Sequence, residues 1–214
     1  EIPPWDQVKA GLTIRLMANE AVPDQFRGNS VWRRDLQGVA TMLAIDYPET
    51  VATVSRASAV EWGMPDEQLF AHALANLEST FKLHEPVVKD LMNGPLFLFS
   101  AEHFFAASHA LLLNRMPQCV GPYGAVVAIP TRHLLLCCPV NTFDIVKDIG
   151  VMLNIAHKAE TDGPGSITNQ LYFYRDGSFF VIASEMGDDQ QLRLTPPPEF
   201  IRVLEELEAA GQEG

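Results

Sequence analysis

LYFYRDGSFFVIA, residues 171–183, carries the clearest structural instruction in this chain. Two runs rich in aromatic and β-branched residues, LYFY at 171–174 and SFFVIA at 178–183, flank Arg175-Asp176-Gly177. Asp-Gly supplies the backbone conformations a tight turn between antiparallel strands needs, so the stretch reads as a hairpin. Upstream, AVVAI at 125–129 and LLLCC at 134–138 are separated by Pro130-Thr131-Arg132-His133. This second hairpin is expected to place Pro130 at the second position of its turn. Further strands are expected at GVATMLAI (38–45), TVATVS (50–55) and LFLF (96–99).

Helical spacing appears between these runs. Leu69, Phe70, Ala73, Leu74, Leu77 and Phe81 fall on one stripe behind Pro65, Asp66 and Glu67, which suit a helix start. Ser100 is a candidate N-cap for a helix carrying Phe104, Phe105, Ser108, Leu111 and Leu112. A helical turn or two is expected after Pro86, a long helix over 142–159, and another over 198–209. The opening stretch from Trp5 to Met17, interrupted by Gly11, fits either a short helix running into a strand or one helix. Strands that cluster as hairpins, rather than alternating with helices, give an α+β class. The expectation is an antiparallel or mixed sheet built from hairpins, with helices packed mainly on one side. One domain spanning 1–214 is expected, with 1–35 as a candidate mobile segment and 208–214 as an acidic tail.

Composition narrows the function classes. The chain is 47% hydrophobic and 20% charged, as expected of a folded globular protein. Its net charge is −12, and 185–214 alone holds eight acids against two arginines. Such a surface repels phosphate backbones, which argues against nucleic acid as a partner. The longest apolar stretches are cut short by Pro, Ser or Thr, which argues against a membrane partner. Cys119, Cys137 and Cys138 form neither a disulfide framework nor a C-x-x-C pair, which favours buried thiols in a cytoplasmic protein.

Motif tests return little. The chain has no P-loop, G-x-G-x-x-G, G-x-S-x-G or H-E-x-x-H. The glycine-bearing stretches GPYG (121–124) and DGPG (162–165) read as loops. The six histidines are scattered, and on an α-helix His103 and His109 would lie on different faces. No metal site and no cofactor is therefore expected. A Ser-His-Asp set can be drawn from Ser108, His133 and Asp144, but a serine mid-helix more often bonds back to a carbonyl one turn earlier.

Three segments in order carry a resemblance: WGMPDEQLFAHALANLE (62–78), LFLFSAEHFFAASHALL (96–112) and VVAIPTRHLLLCCPV (126–140). Together they resemble the YtpQ-like family of uncharacterised bacterial proteins over roughly residues 36–185. The shared features are a helix ending Ala-x-x-Asn-Leu (Ala73, Asn76, Leu77), an Ala-Ser pair before leucines (Ala107, Ser108), and a strand ending Pro-Ser-Arg-Asp before an apolar run. Here that last motif reads Pro130-Thr131-Arg132-His133, with threonine for serine and histidine for the acid. The resemblance implies a similar fold and a bacterial cytoplasmic setting, and lends no activity.

The same positions have physical readings of their own. Asn76, beside an apolar stripe, fits a role fixing a neighbouring loop through its amide. Arg132 at a hairpin tip is either a solvated turn residue or an anion contact, because a guanidinium fork suits carboxylate and phosphate. His133 shares that turn and titrates near neutral pH. Two functions from different classes follow. The first is a non-catalytic binding or interaction domain for an unidentified protein or a small anionic ligand. The alternative is a small hydrolase or transferase acting on an anionic substrate, with a site near 130–133 drawn from Arg132, His133, Ser108 and a carboxylate such as Glu102.

Overall fold

The computed structural model describes residues 2–186 and 192–212. Among the described residues, eleven strands form two antiparallel sheets in this order: β1 (Leu12–Ala18), β2 (Trp32–Arg33), β3 (Val39–Tyr47), β4 (Thr50–Thr53), β5 (Val87–Asp90), β6 (Pro95–Ser100), β7 (Ala125–Thr131), β8 (Leu134–Pro139), β9 (Leu171–Arg175), β10 (Ser178–Met186) and β11 (Leu192–Thr195). The helices are α1 (Trp5–Val8), α2 (Asp24–Asn29), α3 (Arg56–Glu61), α4 (Asp66–Ser79), α5 (Ile145–Asp162) and α6 (Pro198–Gln212). The small sheet is built on β3, which pairs with β1, β2 and β4; the large one runs β11-β10-β9-β7-β8-β6-β5. The α+β architecture built from antiparallel hairpins is thus present.

The β9–β10 hairpin closes as its dipeptide demands. Ser178 pairs with Arg175, leaving Asp176 and Gly177 alone in the turn at φ +51° and +80°. Both central residues at positive φ make the turn type whose twist matches that of the flanking strands. The β7–β8 hairpin departs from expectation. Its turn is Arg132-His133, because Thr131 already pairs with Leu134, and Pro130 lies inside β7 at a bulge between Ala128 and Thr131. A proline without an N–H is tolerated in a strand where the ladder is interrupted.

Strand alternation splits the interior in two. Leu171, Phe173, Val126, Leu136 and Cys138 face one core together with Ile145, Ile149, Met152 and Ala156 of α5 and Phe200, Val203 and Leu207 of α6. Tyr172, Tyr174, Val127, Leu135 and Cys137 face the other, against Leu69, Ala73 and Leu77 of α4 and Leu12, Ile14, Leu43 and Ile45 of the small sheet. Adjacent Cys137 and Cys138 therefore sit in different cores, and all three thiols are buried and free. Burial pushes the Cys137 thiol well up, and burial with the nearby Asp148 carboxylate pushes that of Cys138 up to about 12.

Four local expectations are corrected. Val87–Asp90, expected to be helical after Pro86, is an exposed edge strand paired with β6. Ser100 ends β6, and the helix expected behind it is a run of tight turns followed by a 3-10 helix over Ala107–Arg115. The 3-10 form rises about 2.0 Å per residue against 1.5 Å for an α-helix, so it spans more core with a thinner rod. Ala106, Ala107 and Ala110 let that rod pack buried. The segment 1–35, a candidate mobile region, instead supplies β1 and β2 and buries Val8, Leu12, Ile14 and Leu16. Of the expected acidic tail, residues 208–212 continue α6, while 213–214 lie outside the described residues.

Candidate functional site

The Arg132-His133 turn projects towards the face of the small sheet that carries Arg15. Arg132 is held from every side. Its N–H donates to the Gly165 carbonyl at 3.0 Å, and its own carbonyl accepts from Ala107 N–H at 3.3 Å. The guanidinium carbon lies 4.3 Å from the centroid of the Phe104 ring, a cation–π contact. Its Nε donates to His133 Nε2 at 3.1 Å. The stem lies so close to Gly165, at φ +72°, that a Cβ there would stand 2.6 Å from Arg132 Cδ. The strand–loop contact that brings Gly165 in is continued by Ile167 N–H on the Pro130 carbonyl at 2.9 Å. DGPG is thus the loop that seats Arg132.

Arg15 comes from the middle of β1, opposite Met42, and is partly buried. Arg15, Val51, Phe104 and Arg132 line a cavity of about 180 Å³. Burial and the positive charge of Arg132 lower the Arg15 pKa from its ordinary value. Neither arginine has an ion-pair partner among the described residues, whereas Arg27, Arg33, Arg56 and Arg115 each have a carboxylate. Two partly buried like charges thus face one small cavity with no acidic residue in its lining.

A wider cavity of about 570 Å³ adjoins it, sharing Val51 and Phe104 as walls. Asp46, Glu49 and His103 line this outer part. Burial raises the Asp46 pKa, opposed by the nearby His103. His103 is fully engaged: Nε2 lies 3.0 Å from the Lys82 carbonyl and Nδ1 accepts from Phe105 N–H at 3.1 Å. His133 Nε2 is taken by Arg132, and its ring meets that of Phe104 edge-on at 5.3 Å. Burial first, and Arg132 next, lower its pKa, so the imidazole is held towards its neutral form.

Of the residues singled out from sequence, Arg132 lines this cleft, His133 backs it through Arg132 and Phe104, and three do neither. Ser108 is buried and donates to the Ile14 carbonyl at 2.7 Å, fastening the 3-10 segment to β1; as a ligand or nucleophile it is withdrawn. Asn76 donates to the carbonyls of Lys9 at 2.8 Å and Leu12 at 2.7 Å, tying α4 to the start of β1. That is the loop-fixing role, not a ligand contact. Glu102 is exposed and lies outside the residues lining the cleft. The sequence reading also separated His103 from His109, whose rings in fact stack 6.1 Å apart. Rotation of 100° per residue does not apply to tight turns and 3-10 geometry. Arg15 was missed altogether, although one signal was present: a lone arginine inside the apolar strand LTIRLMA.

No described group of three or more His, Cys, Asp or Glu side chains could hold a metal ion. Among the described residues no helix is long and apolar enough to cross a membrane. Comparison with family models, curated proteins and solved structures finds no match to this chain.

Proposed function

We propose that the chain is a non-catalytic binding domain that holds a small anionic ligand where the β7–β8 turn meets the small sheet, in the bacterial cytoplasmic setting the family resemblance implies. The observation that carries this reading is the convergence of Arg15 and Arg132 on one cavity without a carboxylate partner among the described residues. Like charges brought together cost stability, and an oxyanion between them removes that cost while accepting charge-assisted hydrogen bonds. Pre-organisation supports it further. Arg132 is locked by Gly165, Phe104 and His133 before any ligand arrives, so little side-chain entropy is lost on binding. Binding is favoured over hydrolysis or transfer because both ring nitrogens of His103 are engaged, His133 Nε2 accepts from Arg132, and Ser108 is committed to the Ile14 carbonyl. A general base needs a free nitrogen within reach of the proton it removes.

Thermal unfolding with increasing inorganic phosphate, at constant ionic strength, tests the reading. A ligand at about 100 times its Kd stabilises by about 2.7 kcal/mol, so the wild-type melting temperature should climb with phosphate. Without phosphate, Arg132→Ala should change stability by about 1 kcal/mol or less, since the lost cation–π contact with Phe104 and hydrogen bond to His133 are offset by the relief of Arg15. With phosphate, Arg15→Ala and Arg132→Ala should each lose most of the shift. An equal shift in all three proteins would sink the proposal.

A further inference from the structure

The cleft has two electrostatic halves. Arg15 and Arg132 line its inner cavity, and Asp46 and Glu49 line the outer one, with Val51 and the Phe104 ring common to both. Resting on the anion-site reading above, we propose that the ligand is a zwitterion: a phosphate monoester seated between Arg15 and Arg132, carrying an ammonium group that reaches Asp46 and Glu49.

The inner half argues for the head group. Two guanidiniums without a counter-charge are matched by a dianion, which a phosphate monoester supplies and a single carboxylate does not. Phe104 argues for the middle of the ligand. Arg132 covers the ring, yet the side chain remains 41% exposed and forms a wall shared by both cavities. Together with Val51 it offers an apolar stretch for a short hydrocarbon spacer. The outer half argues for the tail. Asp46 lies on the same face of the small sheet as Arg15, by the register Arg15–Met42 and Thr13–Ala44 continued to Asp46. Neither Asp46 nor Glu49 has an ion-pair partner among the described residues, although Asp6, Asp24, Asp35, Asp66, Glu78 and Asp144 each have one. His103 makes no ion pair with either acid, and both its ring nitrogens lie against backbone groups. An aliphatic or anionic tail would therefore leave these acids as they are or repel them, while an ammonium group gains from both.

Calorimetric titration of the full chain with short n-alkyl phosphates and ω-aminoalkyl phosphates of matched chain length separates the halves. At the chain length that spans the cleft, the amino compound should bind roughly tenfold more tightly, the size of one charge-assisted contact of about 1.4 kcal/mol. Asp46→Asn combined with Glu49→Gln should erase that preference and leave the alkyl phosphate affinity equal or higher. Glu49 is exposed, so Glu49→Gln alone gives the same comparison should the double variant fold poorly, and it should reduce the preference. If alkyl phosphates bind and the amino series is no tighter at any length, the zwitterion falls and the anion site stands. If neither series binds, both fall.

Discussion

Arg132 shows how a residue's place in a turn can be legible in sequence while its surroundings are not. Its place in a turn between apolar strands is visible in the sequence, and so is the suitability of a guanidinium for anions. Nothing local announces that the turn meets β1, so Arg15 was not paired with it. Nor does local pattern reveal that Gly165 is the seat of its side chain. Gly165→Ala should cost about 1–3 kcal/mol, because it places a Cβ at positive φ and drives it into the Arg132 stem. Phosphate should then stabilise the variant less than wild type, since the guanidinium is displaced. Combining Gly165→Ala with Arg132→Ala should recover the steric part of the loss. Chemical denaturation of the four proteins measures that coupling; strict additivity would show that the stem and the glycine do not meet.

Elements were legible where their periodicity was long or their turn chemistry specific. α4, α5 and α6 follow stripes that bury one face, and Asp176-Gly177 closes β9 on β10. The failures came where tertiary packing overrode a weak local signal. Val87–Asp90 is a strand because β6 offers it a ladder, and Ala107–Arg115 is a 3-10 helix whose Ser108 is tied to the Ile14 carbonyl of β1. Side chains far apart in sequence then fasten these pieces. Asn93 is buried and donates to the Pro139 carbonyl at 2.7 Å, while its Oδ1 accepts from Asn141 and Thr142 N–H at 2.9 Å each. Asp148 of α5 accepts from the N–H groups of Met92, at 3.2 Å, and Asn93, at 2.8 Å. This knot joins the β5–β6 turn to the end of β8 and the start of α5. Asn93→Ala leaves the buried Pro139 carbonyl and the less buried N–H groups of Asn141 and Thr142 without their side-chain partner, and should cost about 1–3 kcal/mol, chiefly for the buried carbonyl. Urea unfolding should show a lower midpoint at unchanged slope, whereas Glu102→Ala, at an exposed position, should stay within about 0.5 kcal/mol of wild type.

At the scale of the whole molecule, burial couples the fold to pH. His109 lies between α4 and the large sheet, its ring nitrogens 3.1 Å from the Phe105 carbonyl and 3.2 Å from that of Leu77. Burial lowers its pKa, outweighing the backbone bonds that raise it; His133 shifts the same way. A histidine whose folded pKa lies below its unfolded value contributes stability that is fully present above about pH 6.5 and lost as pH falls towards the folded value. Asp46 has the opposite sign, since its raised pKa favours the fold in acid and loses that contribution as pH rises through the folded value. The melting temperature should therefore drop between about pH 7.5 and about pH 5.5. The drop should be smaller in His109→Gln, which cannot take up a proton there. An identical pH dependence in the two proteins would assign the loss to other groups.

What the sequence by itself determined is the class of the fold, its principal hairpins and long helices, the burial of its thiols and the interest of Arg132. These follow from periodicity, turn dipeptides and side-chain chemistry, all of which act within a few residues. The tertiary structure alone decided that there are two sheets, that 1–35 belongs to the core, and that His103 stacks on His109. It also decided that Arg15 of β1, Phe104 and the Arg132 turn share one cleft. Each of those depends on contacts between segments many tens of residues apart. Their energies come from desolvation and charge placed in three dimensions, which no local pattern records.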